Sequence, residues 1–252
     1  MEFIKIEKED RVLIISLARG KANPINEAMV EELLQTIGDA EMDERVSAIV
    51  LASDRPKFFS PGFDATEVFQ YDRPNMTRFF GRFIELTELI YHLRKPVVGA
   101  ISGHAYAGGA VLALACDERV MAEGDFGFAL NEINLGMVVP PGFILMAARA
   151  SGSHNGWQMV VRGKTFTPAD CLQAGLAVEV VKPEAVRSRA IERAAELGAK
   201  PPIAFAQVKH RFHETLFQNA PSDREWVEIF MDSWFGAEAT EKKNALVQTL
   251  RR

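Results

Sequence analysis

The sequence has little cysteine and no long apolar run. Its 252 residues include two cysteines, Cys116 and Cys171, which are too few for a disulfide framework or a cysteine metal site. We expect both to be small buried side chains. No segment approaches the roughly 18 consecutive apolar residues of a membrane span, and the N-terminal MEFIKIEKED carries charge where a signal peptide would be apolar. These absences predict a cytoplasmic protein with no membrane partner.

Positive charge and the familiar catalytic motifs are also lacking. Against 34 acidic residues there are 29 Lys and Arg, dispersed along the chain, which argues against a nucleic-acid partner. The sequence has no P-loop, no G-x-G-x-x-G after a predicted strand, no G-x-S-x-G elbow and no H-x-x-x-H pair. Metal catalysis and serine hydrolysis therefore have no support, and we expect no metal site.

What the chain does have is an alternation of buried strands and helices. The segments FIKIEK and RVLIISL flank Glu9 and Asp10 and predict a hairpin, and Asn26 can cap the helix that follows. VSAIVLA (46–52) and VVGAI (97–101) are apolar runs typical of buried strands. After about Pro140 the pattern is helical apart from LAVEVV (176–181). The order predicts an α/β protein with a C-terminal helical region.

Two loops in this pattern resemble each other. In AIVLASDRPKFFSPGFDATEVF and in PVVGAISGHAYAGGAVLALA, a buried strand leads into a loop that ends at glycine, and a helix is predicted to follow. Such a loop presents backbone N–H groups, and glycine lets a ligand approach closely. Parallel strands would place the loops side by side, where two N–H groups could hold one oxyanion. Taken alone, the spacing favours two tight turns with good packing.

Three segments carry a resemblance to a known family. FFSPGFD (58–64), KPVVGAISGHAYAGGAVLALACDERVMAE (95–123) and FGFALNEINLGMVVPPG (126–142) occur in this order and at the expected separations. Together they resemble the enoyl-CoA hydratase/isomerase, or crotonase, family over essentially the whole chain. One departure lies in the first segment, where Pro61 stands at a position that is usually alanine.

The resemblance implies a fold and a type of substrate. The fold is a crotonase-like spiral of repeated β-β-α units with a C-terminal helical trimerisation region, here divided into a core over 1–195 and helices over 196–252. The resemblance further implies a homotrimer or a hexamer built from two trimers. The substrate would be an acyl-CoA thioester, with no separate cofactor because coenzyme A is part of the substrate.

The resemblance also implies roles for individual residues. The backbone N–H groups of Phe63 and Gly108 would form the oxyanion hole for the thioester carbonyl. Ala22 would lie along the CoA adenine, and Asp64 would hold the first loop in place. The remaining positions expected to bind substrate are Pro61, Gly62, Ala65 and Asn131.

One acid remains for the chemistry. Hydratases of this family use two glutamates, but the first of these positions is Val111 here, and only the second matches, at Glu132. That pattern resembles the monofunctional Δ3,Δ2-enoyl-CoA isomerases, and it predicts that Glu132 moves a proton from C2 to C4 of a 3-enoyl-CoA. The alternatives are a hydratase with a single glutamate, an acyl-CoA hydrolase or decarboxylase, and a relative that binds acyl-CoA without catalysis.

The C-terminal helices carry two stripes of apolar and aromatic residues at helical spacing. We expect both stripes to be core rather than an oligomer face. Their members are Phe205, Phe212, Leu216 and Phe217 in one helix and Trp226, Ile229, Phe230 and Trp234 in the next.

Overall fold

The computed structural model describes residues 1–217 and 223–250, and it describes their side chains except at 215–225 and 250. The strands of this part are β1 (Ile4–Glu9), β2 (Val12–Leu17), β3 (Ala48–Ser53), β4 (Phe58–Ser60), β5 (Val97–Ile101), β6 (His104–Tyr106), β7 (Glu118–Ala122), β8 (Phe128–Ala129) and β9 (Glu179–Val181). Its α-helices are α1 (Glu27–Met42), α2 (Arg73–His92), α3 (Gly108–Ala115), α4 (Pro141–Val160, interrupted at Gly152), α5 (Pro168–Gln173), α6 (Val186–Gly198), α7 (Pro202–Phe217), α8 (Asp223–Phe235) and α9 (Ala237–Leu250).

The strands form two sheets that the chain visits in turn. The larger sheet has the order β1-β2-β3-β5-β7-β9, and the smaller has the order β4-β6-β8. Three successive stretches of chain therefore follow one path: a strand in the larger sheet, a strand in the smaller sheet and then a helix. This repetition is the β-β-α spiral expected of the crotonase fold, and it confirms the predicted α/β class.

Local sequence signals explain several element boundaries. β1 and β2 pair antiparallel, as the hairpin around Glu9 and Asp10 predicts, while β2, β3 and β5 are parallel neighbours. Asn26 caps α1 by accepting a hydrogen bond from the Met29 N–H at 3.1 Å, and Asp72 caps α2 in the same way. The predicted start of α2 at about Asn75 is thus late by two residues.

The two faces of the larger sheet bury different apolar clusters. On one face, Val50, Val98 and Val120 pack with Val186, Ala190 and Ala194 of α6. The main cluster contains the apolar sides of α1, α2 and α3 and extends to Phe230 and Trp234 of α8. Cys116 and Cys171 are free and buried within it, as predicted.

The C-terminal region differs from its prediction at one residue in each stripe. Phe230 and Trp234 are core, which confirms the second stripe in part, whereas Ile229 is 45% exposed. The first stripe was wrong at Phe212, which is 57% exposed, and the side chains of Leu216 and Phe217 lie outside the described ones. The division of the chain at 195 falls within α6, and it stays a prediction. Among the described helices, none is long and apolar enough to span a membrane.

Candidate active site

The smaller sheet brings three predicted segments together. β4 pairs parallel with β6, and β6 pairs parallel with β8, so that all three strands end at the same edge. The loop to Phe63 follows β4, the start of α3 at Gly108 follows β6, and a 3₁₀ turn that begins at Glu132 follows β8. Carboxyl ends of parallel strands are where ligands bind in open α/β sheets, because the loops there converge.

The backbone around Phe63 is fixed by a bridge to the segment before α1. Ile25 donates to the Gly62 carbonyl at 2.8 Å, and Asp64 donates to the Ile25 carbonyl at 2.8 Å. In such a parallel bridge the N–H of the intervening residue, Phe63, points away from Ile25. Among the described residues no group accepts a hydrogen bond from this N–H, so it is a free donor beside the second loop.

The second free donor is the N–H of Gly108. As the first residue of α3, Gly108 has no acceptor within its helix, and no other described residue supplies one. The preceding Ala107 has a φ of 48°, a conformation that favours glycine and costs another residue about 1 to 3 kcal/mol. Its N–H is held by the Ala129 carbonyl at 2.9 Å. The strained turn therefore sets the direction in which α3 begins.

The two loops touch through glycine. A Cβ on Gly62 would lie 3.1 Å from the Gly108 nitrogen, and one on Gly109 would lie 2.3 Å from the Ser60 carbonyl oxygen. Gly62 also has a φ of +94°, which favours glycine. The prediction that the loops lie side by side is confirmed. The helix expected directly after the first loop is absent: a short 3₁₀ turn (Val68–Gln70) and then α2 follow Gly62.

These segments enclose a cavity of about 610 Å³. Of the predicted site residues, those that line it are Ala22, Pro61, Phe63, Asp64, Ala65, Gly108, Asn131 and Glu132. Gly62 is the exception, since it is not among the described residues that line the cavity and packs against the second loop instead. Much of the remaining wall is aromatic, with rings from α2, α4 and α8 at one end.

A buried ion pair anchors the first loop. Asp64 accepts hydrogen bonds from Arg19 Nη1 at 2.5 Å and from the Thr66 hydroxyl at 2.6 Å. Burial alone would raise the pKa of Asp64, but these hydrogen bonds outweigh it and lower that pKa. Arg19 also contacts Glu67 at 3.0 Å and the Pro24 carbonyl at 2.9 Å. The predicted loop-holding role of Asp64 thus has a partner, Arg19, that the sequence reasoning missed because no local motif links the two.

Glu132 lies at the start of its 3₁₀ turn with one carboxylate oxygen buried. The residue as a whole is half-buried, but Oε2 is inaccessible and has no hydrogen-bond partner among the described residues. Burial raises the pKa of Glu132 to about 7, with a small opposing contribution from its own backbone N–H. Near neutral pH this carboxyl can therefore both release and accept a proton.

The wall near Glu132 offers it no acidic partner. Asp64 and Glu132 are the only carboxylates among the described lining residues, and Asp64 is bonded to Arg19 and Thr66. Val111, at the position where a hydratase would carry its first glutamate, is buried in the wall. In the described part of the chain, no three His, Cys, Asp or Glu side chains are grouped to hold a metal ion.

Comparison with known proteins decides the family. The family model described as enoyl-CoA hydratase/isomerase matches residues 7–245. The chain belongs to the enoyl-CoA hydratase/isomerase family. It is accordingly an enzyme of the crotonase type that acts on acyl-CoA thioesters, as the resemblance of its motifs implies.

The similar proteins within the family are named for different reactions. The carnitinyl-CoA dehydratase of Salmonella arizonae is 34% identical over 212 residues, which cover 82% of this chain and 79% of that protein. The mitochondrial enoyl-CoA delta isomerase 1 of mouse is 30% identical over 188 residues, covering 74% of this chain and 65% of that protein. The human mitochondrial Δ3-Δ2-enoyl-CoA isomerase structure shares the fold, with a TM-score of 0.92 over 99% of this chain and 98% of that one at 24% identity.

Proposed function

We propose that this enzyme is a Δ3,Δ2-enoyl-CoA isomerase in which Glu132 is the only acid or base. The observation that carries the proposal is the pairing of Glu132, whose Oε2 is buried and has no hydrogen-bond partner among the described residues, with an apolar wall at Val111. Transposing a double bond needs one group that takes a proton from C2 and returns it at C4. A single carboxyl with a pKa near neutrality suits both steps.

In the proposed reaction, ionised Glu132 removes a proton from C2 of a 3-enoyl-CoA. The electrons move toward the thioester carbonyl and give a dienolate, whose negative charge collects on the carbonyl oxygen. The N–H groups of Phe63 and Gly108 hold that oxygen, and each such donor in a water-poor site contributes about 3 to 4 kcal/mol to catalysis. Protonated Glu132 then returns the proton to C4, which leaves a conjugated 2-enoyl-CoA and the original carboxylate.

The lack of a second acid or base beside Glu132 disfavours hydration. Adding water to a conjugated enoyl-CoA requires a group that deprotonates the water and a group that supplies the C2 proton. Val111 can do neither, and Asp64 is committed to Arg19. The apolar wall also excludes water, which would otherwise exchange with the proton held by Glu132.

The test uses two substrates and one signal, the absorbance of the conjugated enoyl thioester. With trans-3-hexenoyl-CoA we expect the absorbance to rise, and with crotonyl-CoA we expect it to stay constant. A loss of absorbance with crotonyl-CoA would show that water is activated without a second glutamate, and the proposal would then be wrong. No change with either substrate would also overturn it and would leave acyl-CoA hydrolysis, decarboxylation or binding alone.

A dehydratase is the second candidate, since several relatives are named carnitinyl-CoA dehydratase. Dehydration likewise begins with loss of a C2 proton, but it then needs an acid that protonates the departing hydroxide at C3. Incubation with 3-hydroxybutyryl-CoA separates the two candidates. Rising absorbance would favour the dehydratase, and constant absorbance the isomerase.

We further propose that the enzyme assembles as a homotrimer or as a hexamer of two trimers. Support comes from α7, which leaves Ile203, Val208 and Phe212 more than half exposed. Exposed apolar side chains gathered on one helix are typical of an interface between subunits. Sedimentation analysis should give three or six times the 28.0 kDa mass of the chain, and a monomer would refute the proposal.

A further inference from the structure

A buried lysine that has no acidic partner among the described side chains lies beside the aromatic end of the cavity. Lys243 of α9 is 6% exposed, and its Nζ donates to the Trp234 carbonyl at 2.7 Å. No salt bridge to this ammonium is found among the described side chains, and burial lowers the pKa of Lys243 to about 8. At neutral pH the side chain is therefore mainly charged, and no described carboxylate is paired with it.

The charge is directed at rings that form the cavity wall. Nζ lies 4.2 Å from the centroid of the Trp234 ring and 5.9 Å from that of Phe69, and both residues line the cavity. Leu246, three residues further along α9, lines it too. Lys243 itself is not among the lining residues, so its charge acts on the cavity through these rings.

This arrangement reverses the usual property of an aromatic pocket. Aromatic rings attract cations, above all quaternary ammonium groups, through the negative face of the ring. Here the ammonium of Lys243 already lies over one face of the Trp234 ring. A second cation at a similar distance from the opposite face would lie about 8 Å from Nζ, where repulsion at an effective dielectric of about 20 weakens binding more than tenfold.

The carboxylates of the cavity compensate for this repulsion only in part. Asp64 is neutralised by Arg19, and Glu132, whose pKa is about 7, carries its negative charge in only part of the molecules at neutral pH. We propose that Lys243 is a specificity-determining residue that keeps positively charged acyl groups out of the cavity, so that the substrates carry uncharged, apolar acyl chains. The inference rests on the proposed function insofar as the aromatic end holds the acyl chain.

The inference matters for the choice between the two candidate functions. A carnitinyl group ends in a trimethylammonium ion, which is the type of acyl group that Lys243 would reject. The two proposals can nevertheless fail separately, because acyl selectivity is measurable as binding without any turnover.

The test compares two saturated acyl-CoA ligands of equal shape. One chain ends in a trimethylammonium group and the other in the neutral tert-butyl group, and calorimetric titration gives a Kd for each. For the wild-type protein we expect the neutral ligand to bind at least tenfold more tightly. Part of that preference is the cost of moving any cation out of water, so variants are needed to isolate the contribution of Lys243.

Two variants remove the charge, and a third is the matched control. Lys243→Met and Lys243→Gln should each reduce the preference at least fivefold, and the Gln variant keeps a donor for the Trp234 carbonyl. Lys242→Met removes the same charge one residue away, from a half-buried side chain paired with Glu238, and should leave the preference unchanged. A preference retained in both Lys243 variants, or a wild-type protein that binds both ligands equally, would overturn the inference. A wild-type protein that has no isomerase activity but prefers the neutral ligand, with that preference reduced in both Lys243 variants, would refute the proposed function and leave this inference standing.

Discussion

Replacing Glu132 with Gln should make the protein more stable at alkaline pH. The pKa of Glu132 rises from an ordinary 4.5 to about 7 on folding. The unfolded chain therefore loses this proton first, and stability falls as pH rises from 4.5 to about 7. At about 1.36 kcal/mol for each pKa unit, the full penalty is about 3 kcal/mol once both states are ionised. A glutamine side chain does not ionise, so the variant escapes this penalty.

The assay is urea unfolding of both proteins at pH 5 and at pH 8. The stability of Glu132→Gln relative to wild type should increase by about 2 to 3 kcal/mol between these pH values, and every other titrating group cancels in the comparison. Glu241→Gln, which removes an exposed acid of α9, is the control for the loss of a carboxylate as such. A Glu132→Gln protein whose relative stability is the same at both pH values would show that Glu132 is not desolvated, and our account of its reactivity would fail.

Three further predictions concern the loops and the base. Arg19→Met should lower the free energy of unfolding in urea by about 3 to 5 kcal/mol and lower kcat, because it leaves Asp64 buried without its partner. Addition of Asp64→Asn should restore part of the stability, and an Arg19→Met protein with the stability and kcat of the wild type would refute this prediction. Gly109→Ala should cost about 3 kcal/mol, because its Cβ would overlap the Ser60 carbonyl, and an unchanged melting temperature would contradict the described contact between the loops. The isomerase kcat/KM should rise with pH along one limb with a pKa of about 7, as Glu132 ionises, and a flat profile from pH 5 to pH 9 would exclude it as the base.

Long apolar segments made much of the fold predictable. β2, β3 and β5 are buried runs of five or six residues, and the hairpin and the Asn26 cap have clear local signals. α2 repeats its apolar residues over twenty positions, so its existence was predictable although its first residue was not. Each of these elements is specified within its own sequence.

The strands that position the site were not predictable in this way. β4, β6 and β8 have two or three residues each, too few to show periodicity, and they are held by one another across the fold. β7 begins at a glutamate and contains Arg119. This charged side chain can be buried because it donates hydrogen bonds to the carbonyls of Ala113 and Cys116. The pairing of Arg19 with Asp64 and the burial of Lys243 likewise depend on contacts between distant segments. The family resemblance, rather than periodicity, indicated the residues that these strands bring together.

The turnover of trans-3-hexenoyl-CoA by the wild-type and Glu132→Gln proteins tests the central claim most directly. We expect the wild-type protein to form the conjugated product and the variant to form it at least about a thousandfold more slowly, since its amide cannot take a proton from C2. Unchanged unfolding behaviour at pH 5 would show that the variant is folded. Conjugated product formed by the variant at the wild-type rate would contradict the assignment of Glu132 as the proton shuttle.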